Sequence, residues 1–292
     1  MGGCKEVDMS HGQHKNCYRA CNATSSIGFT LLEVLIALVV GVAAVGAAYS
    51  VYTSQVRAHR NRVLSLELQQ NLRAALVFVE QEIRIAGFDP EGSGRFGIVD
   101  VRRYDLKGTG VNPAGQPALF YPVDHDENGE LDGRNHNRNK EHCSLRIRQD
   151  DGIGRRYLSW DNGAGRHPLS ENIHLIGFAY GVDVDRDGRP DTWNGGPHPI
   201  WAVDSDNDNL LDAHIDTNGD GRIDQADAAV IDPPIPLDAI KSVRVWLLAK
   251  STIQLKDHFG SRSYVVGDRV IAPLEDRFLR RVFEATIDAR NL

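Results

Sequence analysis

The residues best suited to chemistry are aspartates at fixed spacing. The run Asp216-Thr217-Asn218-Gly219-Asp220-Gly221-Arg222-Ile223-Asp224-Gln225-Ala226-Asp227 carries oxygen-bearing side chains at its first, third, fifth, ninth and twelfth places, with glycine at the sixth and an apolar residue at the eighth. A calcium ion needs six to eight oxygens converging at roughly 2.3–2.6 Å, a sharp turn at the sixth place and a backbone carbonyl at the seventh. Asp216, Asn218, Asp220, the Arg222 carbonyl, Asp224 and Asp227 are therefore the expected ligands. Shorter versions of the pattern occur at Asp183, Asp185, Asp187 and Asp191, at Asp124, Asp126, Asn128 and Asp132, and at Asp204, Asp206, Asp208 and Asp212. In these a remote carboxylate or a water must complete the shell, and a solvated acidic turn is the competing reading.

The charge pattern strengthens the metal reading. Between Asp183 and Asp227 every acidic residue is Asp, and the basic ones are Arg186, Arg189 and Arg222. Without a cation these carboxylates repel one another and leave a long loop poorly ordered; a bound ion reverses the sign of that interaction. Cysteine usage points the same way. Of the four cysteines, Cys4, Cys17 and Cys21 lie near the N-terminus, and the remaining 264 residues after Gly28 hold only Cys143. Calcium is therefore expected as a structural cofactor, ordering the loops outside the cell where disulfides would otherwise do so.

A second chemical signal lies in the stretch from Phe29 to Tyr52. At about 1.5 Å per residue, this apolar run is long enough to cross a hydrocarbon core of roughly 30 Å. One charge interrupts it, Glu33. An unpaired carboxylate there costs roughly 3 kcal/mol or more, so it requires a partner. The order Gly28-Phe29-Thr30-Leu31-Leu32-Glu33-Val34-Leu35-Ile36-Ala37-Leu38 resembles the processing and assembly motif of type IV prepilins and pseudopilins. The resemblance implies cleavage between Gly28 and Phe29 by a membrane-embedded prepilin peptidase, N-methylation of Phe29, and pairing of Glu33 with the Phe29 amine of a neighbouring subunit. Two opposite buried charges relieve each other, whereas a misregistered subunit leaves both uncompensated, so Glu33 would set register. An ordinary signal anchor is the bland alternative. The leader departs from the family pattern, with Ala23-Thr24-Ser25-Ser26-Ile27 where a basic residue usually precedes the glycine.

The elements that must position these residues are read along the chain. Residues 1–28 form a polar leader, 29–52 a membrane and assembly helix, 53–86 its amphipathic continuation, and 87–292 a β-rich domain with an acidic loop insertion at 183–236. Ala37, Gly41, Ala44 and Ala48 place small residues on one face of the membrane segment; such a face permits close helix packing. Leu64, Leu68, Leu72, Ala75, Leu76, Val79, Ile83 and Ala86 form a stripe at helical spacing. Gly87 suits the C-terminal cap and Pro90 blocks continuation. Beyond them, strands are expected near 96–102, 118–123, 143–148, 156–160, 173–182, 240–248 and 278–289, separated by Gly, Pro, Asn and Asp clusters. The expected fold class is α+β: a long N-terminal helix packed on an antiparallel sheet, as in type IV pilins, with aspartate-rich loops.

Four islands narrow the resemblance. Arg84-Ile85-Ala86-Gly87-Phe88-Asp89, Phe178-Ala179-Tyr180-Gly181-Val182-Asp183, Val243-Arg244-Val245-Trp246-Leu247-Leu248 and the terminal Leu279 to Asn291 segment are, in that order, similar to PilW-type minor pilins. That implies a precursor anchored by a single pass in the inner membrane and then a place at or near the tip of a cell-surface pilus. The implied partners are other minor pilins, the major pilin, the prepilin peptidase and the inner-membrane assembly platform. A J-type pseudopilin of a type II secretion system and a calcium-dependent adhesin or sensor on a pilin stalk remain open alternatives.

The formal charge is −7. Removing residues 1–28, with three basic and two acidic side chains, leaves −8, which disfavours nucleic acid as a partner. No Ser-His-Asp or Cys-His arrangement and no phosphate-cradling glycine loop is visible, so an enzyme is not expected.

Overall fold

The computed structural model describes residues 28–107, 110–131, 141–150, 152, 154–221, 223, 227–256 and 258–292. They fall into two compact units, divided between Val56 and Arg57. Helix α1, Leu31–Ile85, begins in the first and ends in the second. Its start is built by Thr30, whose Oγ1 and carbonyl oxygen accept from the Glu33 N–H at 3.2 and 3.0 Å, the contacts of an N-cap residue. An 18-residue window of this helix has a mean hydropathy of 2.5, and none of it is buried by the described residues. It is one helix long and apolar enough to span a bilayer, placed near the N-terminus.

Within the second unit the helix becomes two-faced. Leu64, Leu68, Leu72, Ala75, Val79 and Ile83 are buried, while Leu66 and Val77 on other faces are 57% and 55% exposed. This stripe follows the sequence spacing, with one addition: Glu82 is buried among the apolar residues. The helix ends where Gly87 turns to φ +76 and the Phe88 N–H reaches the Ile85 carbonyl at 3.0 Å. A side chain at Gly87 would meet the Asn291 carbonyl oxygen at 2.7 Å. The Asn291 amide meanwhile donates to the Arg84 carbonyl at 2.9 Å, tying the last residues of the chain to the helix end.

Among the described residues all strand pairing is antiparallel. The first sheet takes β1 (Arg103–Tyr104), β2 (Gln116–Pro122), β3 (His142–Gln149), β4 (Arg156–Asp161) and β5 (Arg166–Glu171), in that order. The second is built from β6 (Ile173–Val182), β7 (Trp201–Val203), β8 (Leu211–Ile215), β9 (Ala229–Ile235), β10 (Ile240–Gln254) and, beyond the ribbon β11 (Tyr264–Val266) and β12 (Arg269–Ile271), the C-terminal β13 (Phe278–Asp288). Its spatial order is β13-β10-β6-β7-β8-β9. Leu72, Val79 and Ile83 of the helix share one core with Leu119, Tyr121, Leu145 and Leu158 of the first sheet and Ile176, Val245 and Leu247 of the second. The opposite face of the second sheet carries a smaller core of Trp201, Ile215, Trp246 and Val266. The fold class is thus α+β, a long N-terminal helix packed on antiparallel sheets.

Two local expectations are corrected. The strand expected at 96–102 is reduced to one isolated bridge, Asp100 to Phe120. Side-chain amides occupy the neighbouring backbone groups instead: Asn209 accepts from the Val101 N–H at 3.0 Å and donates to the Val99 carbonyl at 2.8 Å, and Asn207 accepts from the Arg103 N–H at 2.9 Å. Strands β1, β5, β7, β8, β9, β11 and β12 lie outside the expected segments. Several are only three residues long and sit between turn-rich segments. Strand β9 contains Pro233 and Pro234, which the sheet accommodates because β9 is an edge.

Candidate functional site

The aspartate loops share one backbone design. In each, the first carboxylate accepts from the N–H of the sixth residue: Gly129 to Asp124 at 2.9 Å, Gly188 to Asp183 at 2.9 Å, Asn209 to Asp204 at 2.9 Å and Gly221 to Asp216 at 3.1 Å. The fifth residue's N–H reaches the third side chain, Asn128 to Asp126 at 3.3 Å, Asp187 to Asp185 at 3.1 Å, Asp208 to Asp206 at 3.1 Å and Asp220 to Asn218 at 2.8 Å. The fourth and sixth places have positive φ throughout: Glu127 and Gly129, Arg186 and Gly188, Asn207 and Asn209, Gly219 and Gly221. Glycine or asparagine at the sixth place is what such a conformation favours. The first aspartates, Asp124, Asp183, Asp204 and Asp216, are all buried.

In three loops acidic oxygens converge. Asp183, Asp185 and Asp187 each offer an oxygen, all within 4.8 Å of one another, as do Asp204, Asp206 and Asp208, and as do Asp124, Asp126 and Glu141. These clusters could hold a metal ion, and their all-oxygen donor sets suit a hard cation. The ninth-place residues fold back onto the second: Asp191 accepts from the Val184 N–H at 2.7 Å, and Asp212 accepts from the Ser205 N–H at 2.7 Å and its hydroxyl at 2.6 Å. Burial pushes the Asp204 carboxyl pKa upward, against the lowering effect of backbone donors from Asn209, Asn207 and Asp208.

The loop with the fullest sequence pattern differs from these three. Arg222 and Asp224 lie outside the described residues, as does Asp132 of the first loop. Asp227 is buried, and its carbonyl accepts from the Thr217 N–H at 3.2 Å. Asp216 is already neutralised: Arg244 Nη1 donates to its Oδ2 at 3.1 Å, while Arg244 Nη2 reaches Glu284 at 3.2 Å. The Arg244 guanidinium also lies over the Trp246 and Trp201 rings, 5.0 and 5.6 Å from their centroids. Charge and stacking hold it beside Asp216, so a metal at this loop would compete with a resident cation. Sequence reading missed Arg244, and it missed Glu141, which joins Asp124 only through the fold. Asn207 and Asn209 carried a local signal, Asn at positions requiring positive φ, but their bonds to residues 99–103 had none.

In the first unit, Phe29 is 82% exposed and Glu33 sits in the first turn of α1. Thr30-Leu31-Leu32-Glu33 has the sequence of a capping box. A carboxylate in this turn is also favoured by the helix dipole. On the exposed helix surface Glu33 is neighboured by Thr30, Leu32, Ile36, Ala37 and Val40, so beyond Thr30 the charge stands in an apolar surround.

No family model matches this chain, and no curated protein matches it. Among solved structures, a type IV-like pilin from Thermus thermophilus is similar, at 13% identity and a TM-score of 0.34, with 77% of this chain and 97% of that one covered.

Proposed function

We propose that this chain is a pilin-type filament subunit of the minor-pilin, PilW-like kind, processed between Gly28 and Phe29 and carrying structural calcium in its aspartate loops. The observation that carries the reading is the first half of α1: a long apolar helix with no buried residue in its most apolar window and a single carboxylate, Glu33, just inside its start. Such a surface needs lipid first and other helices afterwards. Cleavage after Gly28 creates an amine four residues before Glu33. In a filament, Glu33 receives the Phe29 amine of an adjoining subunit, and only correct register neutralises both charges. The amphipathic second half docks the β-rich unit, which presents the aspartate loops to the exterior.

Mass spectrometry of the native chain tests the processing step: a mature terminus at N-methylated Phe29 is expected, and recovery of the chain with Gly28 still attached rejects it. Gene deletion separates the two filament systems. Loss of surface fibres supports the pilus, and loss of exoprotein export with fibres intact supports a type II secretion pseudopilin. For the cofactor, calorimetry at millimolar calcium should show saturable uptake that Asp183→Asn and Asp204→Asn each reduce. Fibres that persist while attachment is lost in those variants would shift the reading towards an adhesin.

A further inference from the structure

A cavity of about 320 Å³ lies among Arg155, Arg156, Asn172, His174, Lys250 and Phe278 in the second unit. Its walls come from distant parts of the chain. Arg156 opens β4, His174 lies on β6, Lys250 on β10 and Phe278 opens β13. Main-chain bonds fix them to one another through Asn172, whose N–H donates to the Arg156 carbonyl at 3.1 Å and whose carbonyl accepts from the Lys250 N–H at 3.0 Å. The Arg156 guanidinium donates to the His174 carbonyl at 3.3 Å, and Lys250 Nζ stands 3.9 Å from the Phe278 ring centroid.

None of the described lining residues is acidic. Arg155 is paired with Glu171 at 3.2 Å, its side chain 46% exposed. The nearby carboxylate, Asp276, is taken by two bonds from Arg280, both 2.5 Å. Among the described residues Arg156 forms no ion pair with a carboxylate, and the carboxylate acting on Lys250 is Asp276, which Arg280 already holds. Two cations half-withdrawn from water in one cavity repel each other and lose hydration, a cost that an entering anion removes. Neighbouring cations act on His174 and Lys250. Burial, followed by Arg156 and Lys250, pushes the His174 imidazole down to about 4. Burial and Arg280 lower Lys250, and burial lowers Arg156.

We propose that this cavity binds a phosphomonoester, its phosphate held between the Arg156 guanidinium and the Lys250 ammonium. A phosphomonoester carries about −1.5 to −2 charges near neutral pH and three acceptor oxygens, matching the two cations that remain once Asp276 is set against Arg280; a carboxylate supplies one charge. Arg156 uses one N–H on His174 and keeps the rest of its fork, the group suited to planar recognition of phosphate oxygens.

Calorimetry on the full-length protein in detergent tests this, with glycerol 3-phosphate, inorganic phosphate and acetate as probes. Saturable binding of glycerol 3-phosphate is expected, at least tenfold tighter than acetate. Lys250→Met, which keeps the apolar stem on Phe278, and Arg156→Gln should each weaken it at least tenfold, while Arg262→Gln, exposed and outside the cavity, leaves it unchanged. The His174 ring protons should titrate at higher pH when the phosphate is bound. A short-chain phosphatidate that binds tenfold tighter than glycerol 3-phosphate assigns the site to a lipid headgroup; equal or weaker binding assigns it to a soluble ester. No saturable phosphate uptake, or uptake equal in both variants and parent, overturns the proposal.

Discussion

Glu82 and His174 show how single side chains tie stability to pH in opposite senses. The Glu82 carboxyl accepts from the Tyr121 hydroxyl at 2.5 Å, yet burial outweighs that bond and raises its pKa above 4.5. A carboxyl raised in the folded state contributes stability that is complete below its unfolded value and is lost as pH climbs through the folded one. Glu82→Gln should therefore melt higher than the parent at neutral pH, with the gap closing as pH falls to about 4.5 in thermal melts across pH 4–8. His174 works the other way. Its imidazole, ordinarily near 6.5, is held near 4. Stability attributable to its neutral form is present above about 6.5 and is lost as pH drops towards 4, and His174→Gln should flatten that limb of the melting profile. At the helix start, Thr30→Val removes the Oγ1 acceptor for the Glu33 N–H. It should cost about 1 kcal/mol locally, read as faster amide hydrogen exchange at Glu33.

At the scale of elements, the helix stripe and the loops make separable contributions. Leu72 is fully buried between α1 and the sheets. Leu72→Ala should cost about 2–5 kcal/mol in denaturant unfolding, whereas Leu66→Ala, on an exposed face, should change stability by about 0.5 kcal/mol or less. The Asp204 loop also serves as a clamp, since Asn209 and Asn207 take the backbone groups of residues 99–103 that a strand partner would otherwise fill. Asn209→Ala should destabilise by about 1 kcal/mol and loosen residues 99–103 in hydrogen exchange. If a cation holds the Asp183 and Asp204 loops, millimolar calcium should raise the melting midpoint of the parent and do so less in Asp204→Asn. At the Asp216 loop, Arg244→Gln should strengthen calcium uptake by removing the resident cation, a result opposite to that of an aspartate substitution.

For the molecule as a whole, the exposed apolar half of α1 is the dominant physical fact. Apolar residues without partners among the described residues must be covered by lipid or by other helices. On the proposed filament reading, Glu33 is a specificity element. Expressed beside the parent chain, Glu33→Ala should remain membrane-anchored but be at least tenfold depleted from sheared fibres, as judged by immunoblotting. Equal incorporation would leave the residue a capping-box carboxylate and nothing more.

How much of this was legible beforehand follows from the range of the forces involved. The α1 span, its buried stripe, the Gly87 stop and the long strands β3, β6, β10 and β13 are written in periodicity and turn residues, because local sterics and the burial of one face act on neighbouring residues. The shared turn of the aspartate loops is local too: the first carboxylate binds a backbone N–H five residues on. The tertiary structure alone decided that Glu141 closes on Asp124, that Arg244 neutralises Asp216, that Glu82 enters the core under Tyr121, and that Arg156 and Lys250 face one cavity. These contacts join residues brought together by sheet order and register, and their energies depend on burial, which no stretch of sequence carries by itself.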